Sequence, residues 1–203
     1  MGTGPIRGRL NALRWSCAAG VLRSPVSTGG ATLYQVLTKI TQGYRAHGVR
    51  RFVVLNGHGG NIPVLDQVAL DLQRQGCMLA EMNWWLMAWD LNPAWKGGHG
   101  GAEETAGVLA VNPTLVDWDS IEDMTLKPVS DEMEATGFKT VRFKGVEIPL
   151  VRPITEVTDN GWIGPDHPKN ATEAWGRDML KACAEYIADF MGAFRRVPLP
   201  DRK

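Results

Sequence analysis

Hydrophobic and polar positions fall into a readable order from residue 27 onward. Residues 31–47 place Leu33, Val36, Leu37, Ile40 and Tyr44 at helical spacing, which predicts a helix with Gly48 as its C-cap. Residues 51–55 follow as a short apolar run, read as a buried parallel strand. It ends abruptly in the polar turn Asn56-Gly57-His58-Gly59-Gly60-Asn61. Residues 62–75 repeat the helical pattern through Val64, Leu65, Val68, Ala69 and Leu72, and Gly76 closes it. Residues 77–82 read as a second strand. Two helix-to-strand units of this length predict an α/β fold of three layers, with a mostly parallel central sheet and flanking helices.

The later pattern is less regular. Residues 83–101 carry Trp84, Trp85, Trp89 and Trp95 and end in a second histidine-glycine turn at His99. A tryptophan cluster here suits plain core, an oligomer contact or a ligand wall. Residues 102–111 read as a helix that opens with Glu103 and Glu104, and Asn112-Pro113 stops it. Residues 119–140 read as a variable loop, residues 139–151 as a hairpin about Lys144-Gly145, and residues 154–169 as loop. An amphipathic helix over 171–194 closes the pattern.

Composition adds bounds. The chain has 203 residues, 44% hydrophobic and 22% charged, the range of an ordinary globular domain. Lys plus Arg and Asp plus Glu are 22 each, so net charge gives no pull toward nucleic acid or an anionic membrane. No apolar run approaches the length of a membrane span. Cys17, Cys77 and Cys183 are odd in number and far apart, without a CxxC, which points to a reducing cytoplasm. Residues 1–26, with Arg7, Arg9, Arg14 and Arg23 and no acid, read as an irregular leader, with a targeting presequence as the alternative. Residues 27–195 then form one domain and 196–203 a tail.

The two histidine-glycine turns are the candidate chemistry. A strand of an open α/β sheet presents ligand-binding groups at its carboxyl end, which puts His58 at the functional edge. His99 is followed by a carboxylate pair, and imidazole with carboxylate is what a catalytic zinc or manganese site uses. Each signal also has a plainer reading: a hydrogen-bonded structural histidine, or glutamates that complement a helix dipole. A phosphate-cradling turn at 56–61 lacks both the GxGxxG spacing and a P-loop lysine. His47 reads as a helix-end residue, and His167 as a loop residue.

Read as an ordered set, VVLNGHGGN, RAHGVRR, HGGAEETAGVLAVNPTLVD and TDNGWIGPDHPKNATEAWGRDML resemble the creatininase (creatinine amidohydrolase) family over roughly residues 27–194. The resemblance implies a metal-dependent hydrolase with a two-metal zinc or manganese site, acting on a cyclic amide or related small carbonyl compound. By position it implies His58 and Glu104 as metal ligands and His99 as the catalytic histidine. Trp95 and Asn61 are implied as substrate-binding residues. It also implies a homo-oligomer, a hexamer in the family, with a small-molecule substrate and no nucleic-acid or membrane partner.

The departures are specific. The family's E-x-H-G segment and following aspartate are absent: no E-x-H occurs in residues 1–57, and no Asp or Glu precedes Asp66. Gly60 stands where the family carries a glutamate near its metals, and Ala106 replaces a common serine. The expectation is an N-terminally incomplete member, inactive as this chain or supplied with ligands by a partner. The rival is a non-catalytic pseudoenzyme or assembly subunit that keeps the scaffold without the metal site.

Overall fold

A computed structural model describes residues 29–201. The expected leader, residues 1–26, lies outside the described residues, as do 27–28 and 202–203.

Helix α1 (Gly29–Ala46) ends where Gly48 takes a left-handed conformation, φ 88°. Gly48 N–H donates to the Arg45 carbonyl (2.9 Å) and Val49 N–H to that of Tyr44 (3.1 Å), satisfying the last turn. Helix α2 (Ile62–Arg74) packs on α1. Buried Val68, Leu72 and Cys77 meet Tyr34 and Leu37 of α1, and also Phe52 and Leu79 from the strands. The expected apolar stripe of α1 divides here. Leu37 faces the core beside Tyr34 and Thr41, whereas Val36, Ile40 and Tyr44 stand exposed. The row 36-40-44 is turned by roughly 60–100° from the row 34-37-41, at about 100° per residue. Among the described residues nothing covers it.

Strands β1 (Arg51–Asn56) and β2 (Met78–Asn83) pair in parallel, from Arg51 opposite Met78 to Asn56 opposite Asn83. Among the described residues this pair is the whole parallel sheet. The expected burial of β1 is therefore corrected: it is paired along one edge, and Leu55 is 60% exposed. Short helix α3 (Trp84–Leu91) follows β2 directly. The pattern did not reveal it, because WWLMAWDL is apolar nearly all round and shows no period.

Among the described residues helices α4 (Ala102–Val111) and α5 (Glu173–Phe194) make the most extensive helix contact. Thr172 caps α5 by accepting from Trp175 N–H at 3.1 Å. Ala102, Ala106, Leu109 and Ala171 form one buried cluster. Gly176 permits the approach: a Cβ there would lie 1.8 Å from the Ala106 carbonyl oxygen. Ala88 of α3 packs on Met179 and Cys183 of α5, ringed by Trp84, Met87, Trp89, Trp95 and Trp175.

A second sheet is antiparallel, β3 (Glu134–Ala135), β4 (Thr140–Phe143) and β5 (Val146–Pro149). The hairpin turns at Lys144-Gly145, both at positive φ (47° and 83°), as the two-residue turn required. The fold is thus mixed α/β, with a helix-backed parallel pair and a separate antiparallel sheet.

Candidate active site

The end of β1 is locked by amides. Asn56 is 2% exposed, and its Nδ2 donates to Asn83 Oδ1 at 2.6 Å, tying the ends of both parallel strands together. Its Oδ1 accepts from His58 N–H (3.2 Å) and from Asn61 Nδ2 (3.1 Å), which folds the glycine turn back over the strand end. His58 Nδ1 accepts from Gly60 N–H at 3.1 Å. Its pKa is lowered, first by partial burial and then by His99, with Glu104 opposing the shift.

The second turn is pressed against residues 163–165. Gly98 has φ 81°, and a Cβ there would meet Gly164 Cα at 2.4 Å. The His99 carbonyl accepts from Ile163 N–H at 2.7 Å, and its ring tilts on Phe138 with centroids 5.0 Å apart. Burial lowers the His99 pKa, so the imidazole is mostly neutral at pH 7.

The two glutamates opening α4 have different lives. Glu103 is 1% exposed, and one carboxyl oxygen accepts from Trp89 Nε1, Gly97 N–H (2.8 Å) and Gly98 N–H (3.3 Å). Burial pushes its pKa up to about 7 despite these three donors. Glu104 accepts from Gly100 N–H at 3.2 Å. Burial raises its pKa too, opposed by that N–H and by His58.

His58, His99, Glu103 and Glu104 line one pocket of about 210 Å³, together with Trp85, Trp89, Phe138 and Lys139. A larger groove, about 380 Å³, lies at Asp66, Leu70, Gln73 and Met78 and contains no histidine. The smaller pocket is where the chemistry converges.

Of the residues expected from sequence, His58, His99 and Glu104 are brought together here. Trp95 and Asn61 are not in the pocket wall. Trp95 packs on the Ala88–Met179–Cys183 cluster, and Asn61 is engaged with Asn56. The indole rings in the pocket lining are those of Trp85 and Trp89, spaced i,i+4 and so on one face of α3. That spacing was visible in the sequence, but the helix that gives it meaning was not. The sequence offers Glu103 as half of a carboxylate pair or as a helix-dipole partner, and Phe138 and Lys139 carry no local signal. His167 stays outside, 3.5 Å from Asp123.

His58 and Glu104 sense each other's charge, but two donors fall short of the three or four protein ligands of a zinc site. Among the described residues no group of three or more His, Cys, Asp or Glu could hold a metal ion. These residues therefore do not make a metal centre by themselves.

An α/β chain with two histidine-glycine turns on one pocket has clear relatives. The creatinine amidohydrolase (Creatininase) family profile matches residues 19–191, and the chain belongs to that family. Creatinine amidohydrolase of Pseudomonas putida is 32% identical over 48% of this chain and 44% of its own length. The chain thus matches less than half of that relative. A provisionally named creatinine amidohydrolase of Bacteroides fragilis superposes with a TM-score of 0.63 at 23% identity, covering 91% of this chain and 71% of the other. A creatininase variant of Zn-Zn type superposes with a TM-score of 0.55 at 26% identity, covering 86% and 68%.

Proposed function

We propose that this chain is a hydrolase acting on a small cyclic amide or related compact carbonyl compound. The observation that carries the reading is the convergence of His58, His99 and Glu104, from separate elements, on one aromatic-walled pocket. His99, neutral and partly buried, is suited to take a proton from an attacking water and return it to the leaving nitrogen. Glu104, held by Gly100 N–H, favours the cationic form of His58 on the other side of the pocket. Trp85 and Trp89 give a flat wall for a compact ring and exclude water from it.

The test is ring opening of a panel of cyclic amides, creatinine and hydantoin included, with and without added zinc or manganese. His99→Ala is expected to lower kcat by about 10²- to 10⁴-fold, the usual worth of a positioned acid–base group. Turnover unaffected by that change would sink the assignment. Metal analysis sharpens it: two donors predict under about a tenth of an equivalent of bound zinc. Stoichiometric metal that His58→Ala removes would restore the metal-dependent form of the reading.

A second reading, a non-catalytic scaffold, is favoured by that same shortage of donors. No turnover of any panel member under any metal condition would select it. Self-association is proposed alongside either reading, supported by the exposed row Val36, Ile40 and Tyr44, and sedimentation of the purified chain tests it. Among the described residues no helix is long and apolar enough to cross a membrane. A cytoplasmic site is proposed from the unpaired, buried thiols of Cys77 and Cys183.

A further inference from the structure

The β3–β5 sheet is distant in sequence from His58, yet it delivers two side chains to the pocket, Phe138 and Lys139. Their segment is fixed. Thr136 N–H donates to the Thr140 carbonyl at 3.1 Å, and Leu150 N–H donates to the Lys139 carbonyl at 2.8 Å. Phe138 lies on the His99 ring. The Lys139 ammonium is near enough to His58 to disfavour its protonation.

Among the described residues Lys139 is the one lysine or arginine in the pocket lining. Among the described residues it makes no ion pair, whereas Lys127 and Lys181 each face an acid. The pocket's own carboxylates do not consume it. Glu103 is engaged by Trp89 Nε1 and two backbone N–H groups, and Glu104 by Gly100 N–H. A lysine ammonium beside an aromatic wall is a recognition pair for a flat ring with an acidic substituent.

We propose that Lys139 determines specificity, selecting a small cyclic amide that carries a carboxylate, with the ring on the aromatic wall and the carboxylate on the ammonium. The ring class rests on the hydrolase reading; the preference for negative charge rests on Lys139 alone.

The experiment compares hydantoin with hydantoin-5-acetate, read by quenching of tryptophan fluorescence at fixed low ionic strength. The acetate is expected to bind about fivefold tighter, as a partly screened ion pair gives. Lys139→Met brings the ratio to about one and Lys139→Glu inverts it, by loss and reversal of that pair. Lys181→Met, on exposed α5, removes the same charge elsewhere and leaves the ratio intact. Equal binding of both rings, binding of neither, or a preference that survives Lys139→Met would overturn the proposal. Preferential binding without ring opening would leave Lys139 in place and remove the hydrolase reading. Ring opening of hydantoin with no preference would do the reverse.

Discussion

On the His99 side of the pocket, a carboxyl 1% exposed gathers three N–H donors, and the turn it anchors is jammed against Gly164. On the His58 side, the supporting strand is paired along one edge among the described residues, and the turn rests chiefly on the amide of Asn56. One half of the pocket is held by close backbone packing and the other by the amide hydrogen bonds of one buried asparagine. The difference teaches that a histidine's neighbours in sequence, glycines in both cases, do not set how firmly it is placed. What lies behind the turn does.

The largest effect is expected at the α4–α5 contact behind His99. Gly176→Val drives a side chain into the Ala106 carbonyl and is expected to cost more than about 4 kcal/mol, read by urea denaturation. A stable variant would mean the two helices have room to separate. The His99 half would then be no tighter than the other.

Next comes Glu103. Glu103→Ala strands Trp89 Nε1 and the N–H groups of Gly97 and Gly98, at a cost of about 3 kcal/mol, while Glu103→Gln keeps an acceptor and costs less. The same residue gives a pH signature. Its folded pKa, about 7, lies above the ordinary 4.5. The folded state therefore binds more protons between those values, and stability falls as pH rises through that window. The contribution is fully present below about pH 4.5, and on the order of 3 kcal/mol is lost by about pH 8. Urea melts of Glu103→Gln across this range should lose that component of the slope.

The smallest effects belong to the His58 half. Asn56→Ala removes three partly buried hydrogen bonds and is expected to cost about 1–2 kcal/mol. His58→Ala, at an exposed turn position, should change stability by less than about 0.5 kcal/mol. A loss for His58→Ala as large as that for Glu103→Ala would erase the asymmetry.

Much of this was legible in the chain. Val68 and Leu72 are core because their spacing puts them on one face of α2. Gly48, Gly76 and the Lys144-Gly145 turn fall where left-handed backbone is needed. The histidine-glycine turns and the family motifs marked His58, His99 and Glu104. Other features left no local trace. α3 shows no polar face to set a period, and the α1 row of Val36, Ile40 and Tyr44 looks like core until the position of α2 is known.

Periodicity, turn residues and motif spacing are local properties, so the α/β class, the family and the residues that could do chemistry were readable along the chain. The tertiary structure alone decided that Trp85 and Trp89 wall the pocket while Trp95 and Asn61 stand outside it. It also decided that Glu103 is fully buried beside a partly buried Glu104, and that the β3–β4 connection carries Lys139 to the pocket of His58. Those outcomes depend on which faces meet across long sequence separations. Two adjacent glutamates are identical to every local rule and differ only in what packs against them.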